Sequence, residues 1–402
     1  MLKGWIANAF LVIAGTVIGI LLLELALRAI DYSSPNFYRS DLYTGAALRA
    51  GAEGWWRKEG ESYVKINSNG LRDREHQKPK PSGTFRIAVL GDSYAEAMQV
   101  PMEDTFWKVL ELELQTCQAF QGRQIEVINF GVAGYGTAQE LLTLRHRGWD
   151  YSPDLVLLAF LSGNDLRNNV RALDQDPKKP YFVYTDDALV LDASFQETLG
   201  WHVRQSVMRN GGYWLIDHLR ILQLLNEAKE FIKSRIAQMN QDTLGSRIVQ
   251  NEAKVQPQGE VGLDTMVYLE PTAPLWKEAW RVTEGLIVQM RNEVREKGAD
   301  FIVITLTNGD QVGLDPLQRS TYAQGLGVPD LLYPERRIKS LGDREGIPVL
   351  NLAQQFAAHA EQNKVFLHGF KNDGSGHWNA EGHHLAGKLI AEKICSGHAN
   401  PI

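Results

Sequence analysis

Short apolar runs alternate with amphipathic stretches along most of this chain from about residue 85 onward. Five short, mainly apolar runs predict strands; they are 85–90, 125–130, 153–161, 299–306 and 346–352. The third is apolar on both faces, as a central strand of a parallel sheet should be. Elsewhere apolar residues recur every three or four positions and predict helices; these are 104–116, 137–149, 213–239, 274–298 and 380–395. The alternation predicts βαβ units, and therefore a three-layer α/β/α sandwich around a mostly parallel, five-stranded sheet.

The N-terminal segment has a different pattern, because residues 4–23 contain no charged side chain. At 1.5 Å per residue, this run is long enough to span a bilayer core of about 30 Å. A signal peptide is the alternative, but the run is long and no small-x-small cleavage site follows it. We therefore expect an uncleaved single-pass transmembrane anchor over 1–30, a tether and lead-in over 31–80, and one domain over 81–402.

Charges beside the apolar run do not decide its orientation. Lys3 precedes it, whereas Arg28 and Arg39 follow it, so the positive-inside count is nearly balanced. We expect the domain to lie outside the cytoplasm, in a periplasm-like compartment.

The pattern loosens at about 170–275, which we interpret as an insertion in the domain. A small hairpin is predicted within 181–194, and the helix over 213–239 is strongly amphipathic. The insertion is a candidate lid or acceptor-binding element. A structural addition that covers one face of the sheet is the alternative.

The composition changes this picture little. The chain has 402 residues, of which 44% are hydrophobic and 22% charged, as in globular proteins. A net charge of −6 argues against nucleic acid as the partner, which would favour a basic face. There is no CxxC motif to suggest a zinc or thioredoxin-like site. The two cysteines, Cys117 and Cys395, are either independent core residues or, in an oxidising compartment, one disulfide bridge.

Groups able to catalyse acyl transfer follow four of the predicted strands. Their segments are GDS at 91–93, NFGVAGYGT at 129–137, SGND at 162–165 and NDGSGHWNAEGHH at 372–384. Because the carboxyl ends of parallel strands meet at one edge of a sheet, these segments are expected to lie together.

A serine hydroxyl becomes a nucleophile when an imidazole accepts its proton and a carboxylate orients that imidazole. We predict Ser93 as the nucleophile, His377 as the base and Asp373 as the orienting acid. The oxyanion hole would consist of the N–H groups of Ser93 and Gly134 and the side chain of Asn164.

Other polar residues near these segments have simpler interpretations. Asp92 is expected to brace the serine turn and Asp165 to support Asn164. His383 and His384 suggest a metal at first sight, but no carboxylate cluster accompanies them, and we expect them to pack or face solvent. The sequence therefore predicts neither a metal nor a cofactor.

Together the four segments resemble the blocks of the SGNH hydrolases, also called GDSL-type esterases. The resemblance is close over about 65–170 and resumes over about 299–395. It matches Ser93, Gly134 with Asn129 opening its turn, Asn164, and the Asp373–His377 pair. The pair here is separated by four positions, where the family pattern has three. The resemblance implies a flavodoxin-like SGNH fold and activity on small acyl esters, often O-acetyl groups on carbohydrate.

The leading interpretation is therefore a membrane-anchored serine esterase that acts on small esters, O-acetyl groups of extracytoplasmic glycans among them. A polysaccharide O-acetyltransferase with the same triad is the first alternative, in which a sugar hydroxyl intercepts the acyl-enzyme. A non-catalytic scaffold subunit of a membrane complex is the second, since the long amphipathic helix could bind a protein partner. The sequence identifies no specific protein partner.

Overall fold

We describe the protein from a computed structural model. It describes residues 2–205, 207–229, 231–233, 235, 264–371 and 373–399. The chain divides into two compact units, which are treated separately below. The smaller unit comprises 1–37, 52–55 and 203–254, and the larger comprises 38–51, 56–202 and 255–402.

Eleven strands lie in the described parts of the chain. They are β1 (Tyr38–Asp41), β2 (Gly45–Leu48), β3 (Glu53–Trp56), β4 (Ser62–Lys65), β5 (Thr84–Gly91), β6 (Gln124–Asn129), β7 (Leu155–Phe160), β8 (Tyr181–Thr185), β9 (Ala188–Asp192), β10 (Asp300–Thr305) and β11 (Val349–Asn351).

The helices of the first half of the chain are α1 (Leu2–Ala29), α2 (Ser93–Glu96), α3 (Phe106–Gln115), α4 (Thr137–His146), α5 (Ser162–Asn168), α6 (Arg171–Asp174), α7 (Leu199–Arg204), α8 (Val207–His218) and α9 (220–229). Those of the second half are α10 (Pro274–Glu296), α11 (Gly309–Val312), α12 (Pro316–Gly325), α13 (Tyr333–Glu345), α14 (Ala353–Asn363) and α15 (Ala380–Ala399). Short 3-10 turns are formed by Met102–Asp104, Gln118–Phe120, Gly148–Tyr151, Ser194–Glu197 and Thr265–Tyr268.

A five-stranded parallel sheet is the centre of the larger unit, with the strand order β11-β10-β7-β5-β6. Both faces of the sheet are buried. Along β5, Ile87 and Val89 pack on one face, while Ala88 and Leu90 pack on the other. Helices α3, α14 and α15 cover the first face, and α4, α10 and α13 cover the second. The structure thus confirms the predicted fold class, and it contains all five predicted core strands.

The predicted hairpin within 181–194 is confirmed, because β8 and β9 pair as antiparallel strands. The predicted helix over 213–239 is wrong as one element. Helix α8 ends at His218, Leu219 is not helical, and helical structure resumes at Arg220. The end of the predicted helix, from 236 onward, lies outside the described residues.

The 31–80 stretch is folded, although its assignment as a separate tether segment stays a prediction. In the larger unit, β1 pairs with β2 as an antiparallel hairpin. Ala47, Leu48, Val64 and Ile66 are all buried. The stretch therefore contributes apolar side chains to packing, where an extended tether would contribute none.

Cys117 and Cys395 form a disulfide in the larger unit, with a Cα–Cα distance of 6.0 Å. Cys117 follows α3, and Cys395 lies on α15. Of the two interpretations that the sequence left open, the structure has the single bridge. It joins positions 278 residues apart and ties α15 to the segment that follows α3.

In the smaller unit, the helix at Gly4–Ala29 has the length and apolarity needed to cross a membrane, a property that N-terminal signal sequences share. Near its end, the Glu24 carboxylate accepts hydrogen bonds from the backbone N–H groups of Arg220 and Ile221, at 3.1 and 3.0 Å. These are the first N–H groups of α9, which have no acceptor inside the helix. Glu24 therefore supplies the acceptors for the first two N–H groups of α9. This contact explains why a new helix begins after Leu219.

Candidate active site

Ser93 lies at the carboxyl end of β5, as the sequence predicts. The strand ends at Gly91, and the Asp92 carboxylate accepts a hydrogen bond from Tyr94 N at 2.9 Å, which caps the single-turn helix α2. Gly91 allows the tight packing of this turn, because a Cβ there would lie 2.8 Å from the Ala95 Cβ. Ser93 is the first residue of α2, and its half-buried side chain remains accessible.

His377 is brought to Ser93 by the loop before α15. Its Nε2 lies 2.8 Å from Ser93 Oγ, the distance of a hydrogen bond. The next residue anchors the loop, because the Trp378 side chain is fully buried and its Nε1 donates to Thr307 Oγ1 at 2.8 Å. Ser93 and His377 are 284 residues apart in the chain, and the packing of Trp378 holds the loop that brings them together.

The other ring nitrogen of His377 binds Glu59, a residue that the sequence analysis did not single out. Nδ1 lies 2.6 Å from Glu59 Oε2, and the backbone N–H of His377 donates to Glu59 Oε1 at 2.8 Å. Glu59 lies between β3 and β4, and Gly376 makes room for it, since a Cβ at Gly376 would overlap Glu59 Oε1. One carboxylate therefore fixes both the ring and the backbone of His377.

The charge of Glu59 suits this position. Burial by itself would raise the pKa of the carboxyl, but the hydrogen bond and the charge of His377 outweigh it, and the pKa is below its ordinary value. Glu59 is consequently ionised at neutral pH, as a carboxylate that stabilises an imidazolium must be.

Asp373 does not occupy the predicted position on His377. Its side chain is exposed, and its Oδ1 accepts a hydrogen bond from Ser375 N at 3.1 Å, within its own turn. The His377 Nδ1 position that Asp373 was predicted to fill is taken by Glu59. The structure does not place Asp373 on His377. The prediction relied on local spacing, whereas the carboxylate at Nδ1 comes from a turn 318 residues away.

The three predicted oxyanion donors are placed as follows. Asn164 Nδ2 donates to Asp92 Oδ2 at 3.0 Å, so the amide lies beside the serine turn with a second N–H to spare. The backbone N–H groups of Ser93 and Gly134 have no hydrogen-bond acceptor among the residues that the structure describes. Gly134 has φ +78°, a left-handed conformation that favours glycine.

The residues predicted to support the site have clear contacts. Asn129 Oδ1 accepts from Gly131 N and Asn129 Nδ2 donates to Ala95 O, both at 2.9 Å, so Asn129 ties the glycine-rich turn to α2. Asp165 Oδ2 accepts from Leu161 N at 2.9 Å, at the start of α5. Burial and the nearby Glu140 carboxyl raise the pKa of Asp165 well above its usual range.

His383 and His384 pack as expected. His383 is buried and accepts a hydrogen bond from Phe106 N at 3.3 Å, and burial lowers its pKa well below the usual range. His384 Nε2 lies 2.8 Å from Asp104 Oδ1. His383 therefore helps to dock α15 on the first residue of α3, and His384 on the turn before it.

No protein-family model and no curated protein matches this chain. Several solved structures do, at low identity. An acetyl xylan esterase is 12% identical over 78% of this chain and 99% of its own, with a TM-score of 0.36. A catalytic mutant of an acetylxylan esterase from Geobacillus stearothermophilus is 11% identical over 79% and 96%, with a TM-score of 0.39. A lipase/acylhydrolase from Enterococcus faecalis is 13% identical over 78% and 96%, with a TM-score of 0.35. The function is therefore argued from the site.

Proposed function

We propose that this protein is a serine ester hydrolase in which Ser93, His377 and Glu59 form the catalytic triad. One observation carries the proposal: a continuous hydrogen-bond chain runs from Ser93 Oγ through both ring nitrogens of His377 to Glu59 Oε2, with distances of 2.8 and 2.6 Å. A serine, a histidine and a carboxylate in this order form the arrangement that activates a hydroxyl for attack on a carbonyl.

In the first half-reaction, His377 Nε2 accepts the Ser93 proton while Oγ attacks the ester carbonyl. Glu59 stabilises the resulting imidazolium. The negative charge on the carbonyl oxygen is met by the N–H groups of Ser93 and Gly134 and by the Asn164 amide. The imidazolium then protonates the leaving alcohol, and an acyl-enzyme remains on Ser93.

In the second half-reaction, water attacks the acyl-enzyme. His377 accepts the proton of that water and returns a proton to Ser93 Oγ as the acid product leaves. A sugar hydroxyl in place of water would make the same site an O-acetyltransferase. The hydrogen-bond chain supports acyl transfer in both cases, so the acceptor must be found by experiment.

The test is p-nitrophenyl acetate hydrolysis by the full chain in detergent, compared with Ser93→Ala. We expect the variant to lose activity by about 10⁴-fold or more. Acetylated xylo-oligosaccharides, added as competing esters, would report on the proposed glycan ester class, and unacetylated ones on transfer. Equal, Ser93-independent rates would contradict the proposal and favour a scaffold role.

We propose further that the N-terminal helix is retained as an anchor. Besides the Glu24 contacts with α9, Arg28 Nη2 donates to His218 O at 2.6 Å within the smaller unit. Cleavage near the end of the helix would remove residues that this unit uses in its own packing. The intact mass of the protein purified from membranes should be that of a chain that includes the first helix. The mass of a chain that starts after about residue 30 would contradict retention.

The Cys117–Cys395 bridge supports an extracytoplasmic location for the domain, since disulfides persist in oxidising compartments. Alkylation of the unfolded, unreduced protein measures the bridge in the protein as the cell makes it. We expect no alkylated cysteine without reductant and two with it. Two alkylated cysteines without reductant would contradict this location.

A further inference from the structure

The turn that presents the Gly134 N–H is held by two charged side chains outside the four sequence blocks. We call residues 131–136 the Gly134 turn. Ala133 N donates to Glu96 Oε1 at 3.2 Å, and the Lys179 ammonium donates to Gly134 O at 3.2 Å. The Gly134 N–H belongs to the peptide group between Ala133 and Gly134. The Glu96 contact holds the peptide group before it, and the Lys179 contact holds the peptide group after it.

The other N–H groups of the Gly134 turn already have acceptors. Gly131 N donates to Asn129 Oδ1, Val132 N to Gly91 O, Tyr135 N to Val132 O and Gly136 N to Gln139 Oε1. Within the part of the chain that the structure describes, Gly134 N is the one backbone donor of this turn without an acceptor. The turn therefore leaves a single N–H available for a ligand.

The Lys179 ammonium that contacts the Gly134 turn is buried, which costs desolvation free energy. Lys179 is only 8% exposed, and burial of an ammonium is unfavourable unless a partner compensates it. Asp174 is that partner, with Oδ2 at 2.6 Å from Lys179 Nζ, and Tyr181 OH holds the same oxygen at 2.7 Å. The ion pair thus fixes an ammonium against the Gly134 carbonyl.

Glu96 connects the Gly134 turn to the nucleophile. It ends helix α2, which begins at Ser93, and it is almost completely buried. Its second oxygen accepts a hydrogen bond from Tyr38 OH at 2.8 Å. Glu96 is therefore held in place while its first oxygen binds Ala133 N, so α2 and the turn keep a fixed mutual position.

We propose that Lys179 and Glu96 are positioning residues that aim the Gly134 N–H at the oxyanion. The inference rests on the proposed esterase function and deepens it. It also gives the beginning of the 170–275 insertion a part in the chemical step, beyond lid formation or acceptor binding. Neither side chain touches the reacting atoms, so both act through the turn.

The first test compares Lys179→Met with Lys178→Met, a matched variant of the exposed neighbouring lysine. In p-nitrophenyl acetate hydrolysis, we expect kcat of Lys179→Met to fall by about 10–100-fold with KM nearly unchanged, since a misaligned donor weakens transition-state binding. Lys179→Arg should restore part of kcat. Lys178→Met should match the wild type.

The second readout is inhibition by phenylboronic acid, which forms a tetrahedral adduct with an active-site serine. Its affinity should fall in Lys179→Met by about the same factor as kcat. Glu96→Ala should behave alike, and Glu96→Gln, which keeps an acceptor for Ala133 N, should retain most activity. Unchanged kcat in Lys179→Met, or a loss of kcat with unchanged boronate affinity, would overturn the proposal.

Amide hydrogen exchange of a peptide covering 131–136 provides a check that needs no activity. We expect faster exchange in Lys179→Met than in Lys178→Met, and equal exchange would overturn the proposal. Failure of the esterase function has a different signature, namely a wild type that is as inert as Ser93→Ala. If Lys179→Met does not fold, Lys179→Gln is measured in the same three assays.

Discussion

The two edges of the central sheet use polar side chains in opposite ways. At the amino edge, Arg86 of β5 is fully buried, and every N–H of its guanidinium has an acceptor. Those acceptors are the Glu126 carboxylate and the carbonyl oxygens of Gln77, Lys78 and Tyr151. Its backbone N–H donates to Asp154 Oδ2 at 2.7 Å. Arg86 therefore has no N–H left to bind a ligand.

At the carboxyl edge, β5 and its neighbours β6 and β7 lead into groups with spare hydrogen-bonding capacity. Ser93 N and Gly134 N have no acceptor in the described structure, and Asn164 has a second N–H beyond the one given to Asp92. The difference shows how one sheet can serve two purposes. Complete pairing of Arg86 at one edge stabilises the fold, and in the function that we propose the unpaired donors at the other are preorganised for a charge that develops only during reaction.

Replacement of Arg86 should have the largest effect on stability and little effect on catalysis. Arg86→Met removes a fully buried guanidinium from its ion pair with Glu126 and leaves three backbone carbonyls without their donor, so we expect the free energy of unfolding to fall by about 3–5 kcal/mol. Denaturant unfolding measures this, with the exposed Arg123→Met as the control. The kcat of the remaining folded protein should stay within about twofold of the wild type; a large fall in kcat would show that the two edges are not separate in function.

Replacement of Asn164 should have the reverse effect. Asn164→Ala removes one oxyanion donor, so kcat should fall by about 10²–10³-fold, equivalent to about 3–4 kcal/mol, with KM nearly unchanged. Steady-state hydrolysis of p-nitrophenyl acetate measures the change, and the exposed Asn69→Ala is the control. A rise in KM with constant kcat would instead assign Asn164 to ground-state binding.

Loss of the disulfide should reduce stability by a smaller amount and leave the carboxyl edge intact. Because the bridge closes a very long loop, the Cys117→Ser, Cys395→Ser double variant should lose about 2–4 kcal/mol of unfolding free energy. Thermal and denaturant unfolding measure the loss. An unchanged midpoint would mean that the bridge does not constrain the unfolded chain.

The smallest effect is a pH dependence that belongs to the amino edge. Burial would raise the pKa of Glu126, but His76 and Arg86 outweigh it and hold the pKa at about 2. A lowered pKa in the folded state gives stability that is present above the ordinary value near 4.5 and is lost as the pH falls toward 2. Between pH 5 and 2, the free energy of unfolding should therefore fall less steeply with pH in Glu126→Gln than in the wild type. Equal slopes in the two proteins would contradict this.

The sequence is sufficient to predict the sheet because its strands are buried on both faces. Such strands appear as mainly apolar runs, and the uninterrupted apolar stretches at 87–90 and 155–161 are clear examples. The predicted serine and asparagine follow from the same reasoning, since they stand just after β5 and β7, whereas the histidine was found from the resemblance of its segment to the family pattern. Their roles in catalysis remain proposals.

Other features depend on contacts between distant segments, which local spacing does not reveal. Glu59 reaches His377 from a turn that resembles any polar surface turn. The usable signals are weak: a glycine follows it at position 60, and the Asp373–His377 spacing departs from the family pattern. Likewise, apolar spacing continues through Leu219, where the Glu24 carboxylate starts a new helix.

The central claim is that Glu59, through His377, activates Ser93. The most direct measurement is the second-order rate constant for labelling by a fluorophosphonate, with the site mapped by mass spectrometry, in wild type, Glu59→Gln and Asp373→Asn. The account predicts labelling at Ser93, a loss of about 10³-fold or more in Glu59→Gln and a nearly unchanged rate in Asp373→Asn. A rate that survives in Glu59→Gln, or that collapses only in Asp373→Asn, would contradict it.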